Sequence, residues 1–303
     1  MLSMPSVAKQ KPELSSVQLD FEAIGTVWNI EFAGKPQEAA TVARRVADRI
    51  SEFDRTYSRF RADSWVSKIR KPGSYHVPRD FEPMFELYQK LYKITDGLVT
   101  PLIGDVMERA GYNAEYSLQP KKLRPIPKFE KCLQLHNNTL HVKFECLLDF
   151  GAAGKGYLVD LISDLLRKQG ITEFVVDAGG DIREASPALR SSTPVGLEDP
   201  GRPGESIGYV ELHNQSLCAS AGNRRQWGEF HHIIDPSTLR STSDIKATWV
   251  VANTTMLADG LSTALFFTSP ERLAKEFDFE YVIQMADNTI RSSDNFPGRI
   301  LAV

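Results

Sequence analysis

The sequence contains no unbroken apolar run of the ~18 residues that a membrane-crossing helix needs, which argues against a bilayer span. It holds only three cysteines, Cys132, Cys146 and Cys218, widely spaced along the chain and without a C-x-x-C pair. Neither a zinc ligand set nor a disulfide framework is indicated, and all three are expected as buried apolar side chains. Charge of one sign is also lacking: 36 Lys and Arg stand against 39 Asp and Glu, for a net charge of −3. The electrostatic footprint of a nucleic-acid binder or of a protein drawn to anionic membranes is therefore missing. Residues 1–16 have no apolar signal core and no cysteine for lipid attachment. They are expected to be a disordered N-terminal segment of a cytoplasmic protein or of a mature exported form. No internal repeat or low-complexity tract is evident.

What is present is an ordinary globular balance, 42% hydrophobic and 25% charged over 303 residues. That suffices for one folded unit over 17–303, either a single large domain or two closely packed lobes dividing near 101–130, where Pro and Gly interrupt the periodicity. The most informative stretch is Asp149-Phe150-Gly151-Ala152-Ala153-Gly154-Lys155-Gly156-Tyr157. Behind it, Leu158, Leu161, Ile162, Leu165 and Leu166 recur at helical spacing, Gly170 supplies a stop, and Phe174-Val175-Val176 reads as a buried strand. The unit reads as strand, glycine-rich turn, helix, strand, bordered by Asp149 and Asp181. A turn that opens a helix presents unpaired N–H groups to an anionic oxygen such as phosphate. The glycines nevertheless run G-x-x-G-x-G, which is neither the dinucleotide fingerprint nor a P-loop. Close packing of the helix on a sheet accounts for them equally well.

The rest of the chain alternates helical and extended patterns. Val17, Leu19 and Phe21, then Trp28, Ile30 and Phe32, predict a strand pair turning near Gly25. Ala39, Ala43, Val46, Ala47, Ile50 and Phe53 predict a helix, which leads into a polar and aromatic stretch, 54–64, expected as a solvated surface turn. Asp80 is expected to cap a second helix ending at Thr95-Asp96-Gly97. Residues 131–150 read as a hairpin around Asn137-Asn138 whose second arm runs into Asp149, with His136 and His141 as ordinary strand side chains. Further strands are expected at 195–197, 209–220 and 245–252, with a terminal hairpin over 281–291. Neighbouring histidines in a strand point to opposite faces, so at most one of His231 and His232 can face a site. Thr254 is placed to cap a last helix carrying Asp259 and Thr263, four residues apart on one face. An acid and an alcohol so spaced can both donate oxygen to Mg²⁺, although a surface polar pair is the simpler reading of spacing alone. Mixed strands and helices around the central unit give an α+β fold class.

In order and spacing, these segments resemble the ApbE family of FAD:protein FMN transferases over nearly the whole chain after about residue 20. The matching pieces are Ile24-Gly25-Thr26, Tyr57-Ser58-Arg59-Phe60 with Asp63-Ser64, Thr95-Asp96-Gly97, the 149–157 turn, Gly179-Gly180-Asp181, His232-Ile233-Ile234-Asp235-Pro236, and Leu257-Ala258-Asp259 with Thr263. The resemblance implies a transferase that cleaves FAD at its pyrophosphate, joins FMN to a Ser or Thr hydroxyl of an acceptor protein and releases AMP. It implies Mg²⁺ held by Ala152 through its carbonyl, Asp259 and Thr263. FAD contacts are implied for Asp149, Lys155, Leu98, Val99, Thr100, Ile24, Tyr57 and Ile233. His232 is the candidate general base, with a structural hydrogen bond as its competing role. An FAD pyrophosphatase giving FMN and AMP, or a flavin-binding protein without catalysis, are the alternatives.

The sequence departs from that family pattern in places. Leu239 stands where a glycine usually follows Thr238, so the turn there is expected to be reshaped. Ala152-Ala153 fills positions where a bulkier residue and then Ala are common, and Asp177-Ala178 replaces a frequent Asn-Leu pair.

Overall fold

The computed structural model describes residues 15–186 and 192–301. Eight strands form one sheet in the order Ser15–Ala23, Thr26–Gly34, Phe174–Ala178, Ile182–Ala185, Ser216–Ala221, Ile245–Ala252, Glu280–Met285, Ile290–Ser292. Every neighbouring pair is antiparallel. Helices and antiparallel sheets thus combine as the α+β reading expects.

The sheet is covered on both faces, and the sequence shows why. In the central strand Ile245–Ala252 the last six residues are all buried, so the alternation expected of a half-solvated strand gives way to a continuous apolar run. Val250 and Ala252 belong to a core shared with the long helices, Ala39–Tyr57, Phe81–Ile94, Gly154–Lys168 and Thr255–Ala264. Ala247, Trp249 and Val251 point the other way, onto Leu197, Ile207, Val210 and Leu212 of a three-stranded sheet built from Thr193–Glu198, Ser206–Leu212 and Gly298–Ile300. A third apolar group, Val106, Met107, Tyr112, Trp227, Phe230 and Ile234, gathers beside these layers. Among the described residues no helix is long and apolar enough to cross a membrane.

Two helices cross at almost no distance, and this crossing positions the site. A Cβ built on Gly156 would stand 2.3 Å from the Thr255 carbonyl oxygen and 2.7 Å from Asp259 Cβ. Only glycine permits that approach of backbone to backbone. The same crossing is fixed from the other side by Asp160, whose carboxylate accepts the Thr255 and Met256 N–H groups at 2.8 Å each. Thr254 adds its own cap by accepting from Leu257 N–H. The Thr255–Ala264 helix is therefore capped by its own sequence and by a neighbour nearly a hundred residues away.

Several local expectations need correction. No strand precedes the glycine-rich turn: the hairpin's second arm ends at Val142, and 143–150 run outside any sheet, with the Asp149 N–H donated to the Pro101 carbonyl at 2.8 Å. The 54–64 stretch is not a solvated turn, because Arg59 and Ser64 are buried. Asp80 does not cap its helix; its carboxylate is taken by the Tyr57 hydroxyl and by Arg49. The 209–220 strand is two strands broken at 213–215. Ser15 and Ser16, assigned to the disordered segment, are in the first strand, and the rest of that segment lies outside the described residues. The cysteines are all buried as expected.

Because the Gly156 contact is backbone against backbone, Gly156→Ala is expected to separate the two helices and to lower stability by about 1–3 kcal/mol, the usual cost of overpacking. Denaturant unfolding measures it, and a stability unchanged within error would show the crossing to be loose.

Candidate active site

The turn at Gly151–Lys155 and the Asp259 helix meet through one hydrogen bond. Gly156 is the third residue of the Gly154–Lys168 helix, so its N–H is one of the first-turn amides that have no partner within the helix. It donates to Asp259 Oδ2 at 2.9 Å. The Ala152 oxygen precedes the helix N-cap, Ala153, and is therefore outside the helical ladder, and Asp259 is only 5% exposed. Ala152 is further held by its N–H, donated to the Tyr88 hydroxyl at 3.1 Å. Thr263 follows on the same face of the helix as Asp259 and is half-buried.

Behind this pair lies a buried charge cluster. Lys155 forms an ion pair with Asp181 and donates to the Ala178 carbonyl at 3.0 Å. Burial alone would pull the Lys155 ammonium down, but the carboxylates of Asp181 and Asp259 outweigh it and hold its pKa above the usual lysine range. Burial, reinforced by Asp181, pushes the Asp259 carboxyl well up. With all three groups ionised, two carboxylates face one ammonium, an excess of one negative charge. Oxygen donors with a surplus of negative charge in a dry setting suit a small hard cation, so the main-chain oxygen of Ala152, Asp259 and Thr263 fit Mg²⁺ in donor chemistry. Gly260, on the same helix, allows Leu87, Leu91 and Ala153 to close over it; a Cβ there would lie 3.1–3.7 Å from them.

Asp149 sits at the other end of the turn. Its Oδ1 accepts the Gly151 N–H at 2.7 Å, and Oδ2 pairs with Arg59 Nε. Arg59 Nη1 donates to the Tyr112 carbonyl at 2.7 Å, and its remaining nitrogen, Nη2, is buried without a partner. The guanidinium lies 4.1 Å from the centre of the Phe60 ring. Tyr112 and Trp227 stack at 5.4 Å and Trp227 and Phe230 at 6.1 Å, which continues a wall of flat aromatic faces from Arg59.

The two histidines divide as the strand argument requires. His231 accepts the Ile233 N–H through Nδ1 and donates from Nε2 to the Thr242 carbonyl at 2.7 Å, so both ring nitrogens are structural. His232 Nδ1 is buried with no partner. Burial, with help from Arg225 and His231, lowers its pKa to about 4.

Other expected residues are arranged more loosely. Leu98, Val99 and Thr100 lead straight into Pro101, the residue bonded to Asp149, and the Val99 N–H is held by Thr95 Oγ1 at 2.9 Å. Ile233 is buried beside His232. Tyr57 is buried, its ring edge-on to Phe150 at 5.8 Å and its hydroxyl committed to Asp80. Ile24 lies apart from the charge cluster, in the hairpin turn at φ 44°, lining a cleft of about 740 Å³ between the first strand and the Ala39–Tyr57 helix. Spacing arguments missed Arg59, Tyr88, Asp160 and the Tyr112–Trp227 stack. Arg59 alone left a signal, in the Tyr57-Ser58-Arg59-Phe60 motif.

Leu239 occupies a tight turn after Asp235. Asp235 Oδ1 accepts the Ser237 and Thr238 N–H groups, and Leu239 takes the left-handed conformation itself at φ 59°, where a non-glycine residue is strained. Leu239→Val is expected to lower stability by a further ~1–2 kcal/mol, since a β-branched side chain tolerates positive φ least; the unfolding midpoint checks it.

For His232 the sign of the pH dependence follows from its lowered pKa. The folded value lies below the unfolded 6.5, so the stabilisation by neutral imidazole is complete above pH 6.5 and is lost as pH falls toward about 4. An NMR titration of its ring protons is expected to show that low midpoint. A midpoint at or above 6.5 would mean that the ring is not desolvated.

Comparison with known proteins places this arrangement. The ApbE family model matches residues 24–283. A FAD:protein FMN transferase of Vibrio cholerae is 26% identical over 284 residues, covering 87% of this chain and 84% of its own. One from Haemophilus influenzae is 23% identical, covering 88% and 85%. Among solved structures, the flavin transferase ApbE from Vibrio cholerae superposes with a TM-score of 0.77 at 20% identity, over 93% of this chain and 98% of that one. The ApbE protein from Thermotoga maritima gives 0.80 at 22%, over 92% and 97%. Since the family model spans most of the sequence and the fold agrees over nearly its full length, the chain belongs to the ApbE family.

Proposed function

We propose that the protein transfers FMN from FAD to a Ser or Thr hydroxyl of an acceptor protein, with release of AMP. The observation that carries this reading is the Gly156 to Asp259 hydrogen bond, which ties the acid to the helix start that carries Ala152 and Lys155. Ala152 through its carbonyl, Asp259 and Thr263 would hold Mg²⁺, which when bound neutralises charge developing on phosphate oxygens. Lys155 is a point charge suited to the diphosphate, kept protonated by Asp181 and Asp259. Asp149, fixed by Arg59 and by the Gly151 amide, orients the turn on which these groups stand. Leu98, Val99 and Thr100 run beside it, and Ile24, Tyr57 and Ile233 would meet the flavin nucleotide farther out.

His232 is the acceptor-side base in this reading. It is neutral at physiological pH, and Nδ1 is without a hydrogen-bond partner. An imidazole in that state can take the proton of an incoming hydroxyl, and an anionic substrate nearby raises its basicity.

Incubation with FAD, Mg²⁺ and an acceptor carrying a Ser/Thr flavinylation site is expected to yield a fluorescent, covalently modified acceptor. Asp259→Ala is expected to abolish transfer while keeping the fold, with the unfolding midpoint lowered because the buried Gly156 N–H loses its acceptor. FMN and AMP formed at full rate without acceptor would point to a pyrophosphatase, and FAD binding without turnover over hours to a flavin-binding protein. Full transfer by Asp259→Ala at limiting Mg²⁺ would sink the assignment.

A further inference from the structure

The chain has six histidines, and three of them, His76, His136 and His141, fall on one face of the small sheet formed by Gly73–His76, Thr139–Val142 and Leu133–His136. The register places them there: His76 pairs with Thr139 and Thr139 with His136, while Ser74 pairs with His141 and His141 with Gln134. The alternate residues, Leu133, Leu140 and Val142 among them, belong to the main core. The sheet therefore has a dry face and a wet one, and the histidines stand on the wet one.

The rings of His136 and His141 lie 6.2 Å apart, inclined at 49°. With metal–nitrogen bonds of about 2.0–2.1 Å, two imidazoles on one ion have ring centres roughly 4.5–6.3 Å apart as the bond angle opens from about 90° to 180°. The observed separation is inside that range. Ser74 Oγ stands 2.9 Å from His141 Nδ1. In the tautomer where Nδ1–H donates to the hydroxyl, Nε2 keeps a lone pair for a metal. Histidine ligands are held in place by such a hydrogen bond on the far nitrogen. Both rings line an open cleft of about 450 Å³ shared with Gln134 and Lys143.

We propose that His136 and His141 form a two-imidazole site for a late first-row divalent ion, Cu²⁺ or Ni²⁺, oriented by Ser74. Among the described residues no group of three or more His, Cys, Asp or Glu side chains gathers to hold a metal, so solvent completes the coordination. Nitrogen donors select such ions over Mg²⁺, which sets this site apart in kind from the oxygen donors around Asp259. Lys143 opposes the added charge and moderates affinity.

Cu²⁺ titrated into the full-length chain without a histidine tag, in a non-coordinating buffer, tests the site by calorimetry and electron paramagnetic resonance. One ion per chain is expected, with hyperfine coupling to two imidazole nitrogens. His136→Ala and His141→Ala are each expected to weaken binding more than ~10-fold, and Ser74→Ala by about 10-fold. All three variants should keep the metal-free unfolding midpoint and FMN transfer with Mg²⁺. Absence of Cu²⁺ binding by the unaltered chain, or binding that survives both histidine substitutions, would overturn the proposal without touching the flavin reading.

Discussion

The geometry of the site depends on a missing side chain. At Gly156 two helices approach until the backbone of one touches the backbone and Asp259 Cβ of the other. That closeness brings a first-turn amide, which has no partner in its own helix, onto Asp259. The buried acid thereby satisfies an otherwise unpaired donor, and the helix start is aligned with it.

Electrostatics builds on the same contact. Burying Asp181 and Asp259 together is unfavourable, and a single ammonium compensates only part of it. Such a cluster is tolerated where something else is gained, and perturbed ionisable groups of this kind concentrate at functional sites. The neighbouring anchors are arranged to keep the cluster rigid: Asp160 holds one helix start, Tyr88 holds the Ala152 amide, and Arg59 ties Asp149 to the Tyr112 backbone. Lys155, Asp259, Asp160 and Tyr88 stand on helices, which limits their drift, and the hydrogen bonds tie Asp149, Ala152, Arg59 and Asp181, which lie in the connections, to them or to one another.

Much of the scaffold was legible from periodicity. The first hairpin, the four long helices and the central strand follow from apolar spacing, and Thr254 as a cap from residue type. The α+β class and family followed from the order of motifs. What was not legible depends on partners distant in sequence. Arg59 looks like a surface charge until Asp149 is brought to it across 90 positions. Asp80 reads as a cap, but Tyr57 and Arg49 compete for its carboxylate and win. Leu239 takes the left-handed conformation that residue preference disfavours, held by Asp235, whose carboxylate accepts the Ser237 and Thr238 N–H groups and whose carbonyl accepts that of Leu239. Strand order lay beyond pattern reading because pairings such as Thr26–Gly34 with Phe174–Ala178 span most of the intervening chain.

The wide spacing of the partners also governs when the pocket comes into being. Gly156 emerges from the ribosome 103 residues before the acid that claims its amide, and its helix meanwhile has no neighbour to lean on at that face. During synthesis the turn is consequently an unfinished half, with its lysine and glycines in place and no opposing wall. Completion waits for the segment that carries Asp259, so nothing resembling a working centre exists until that segment has been made.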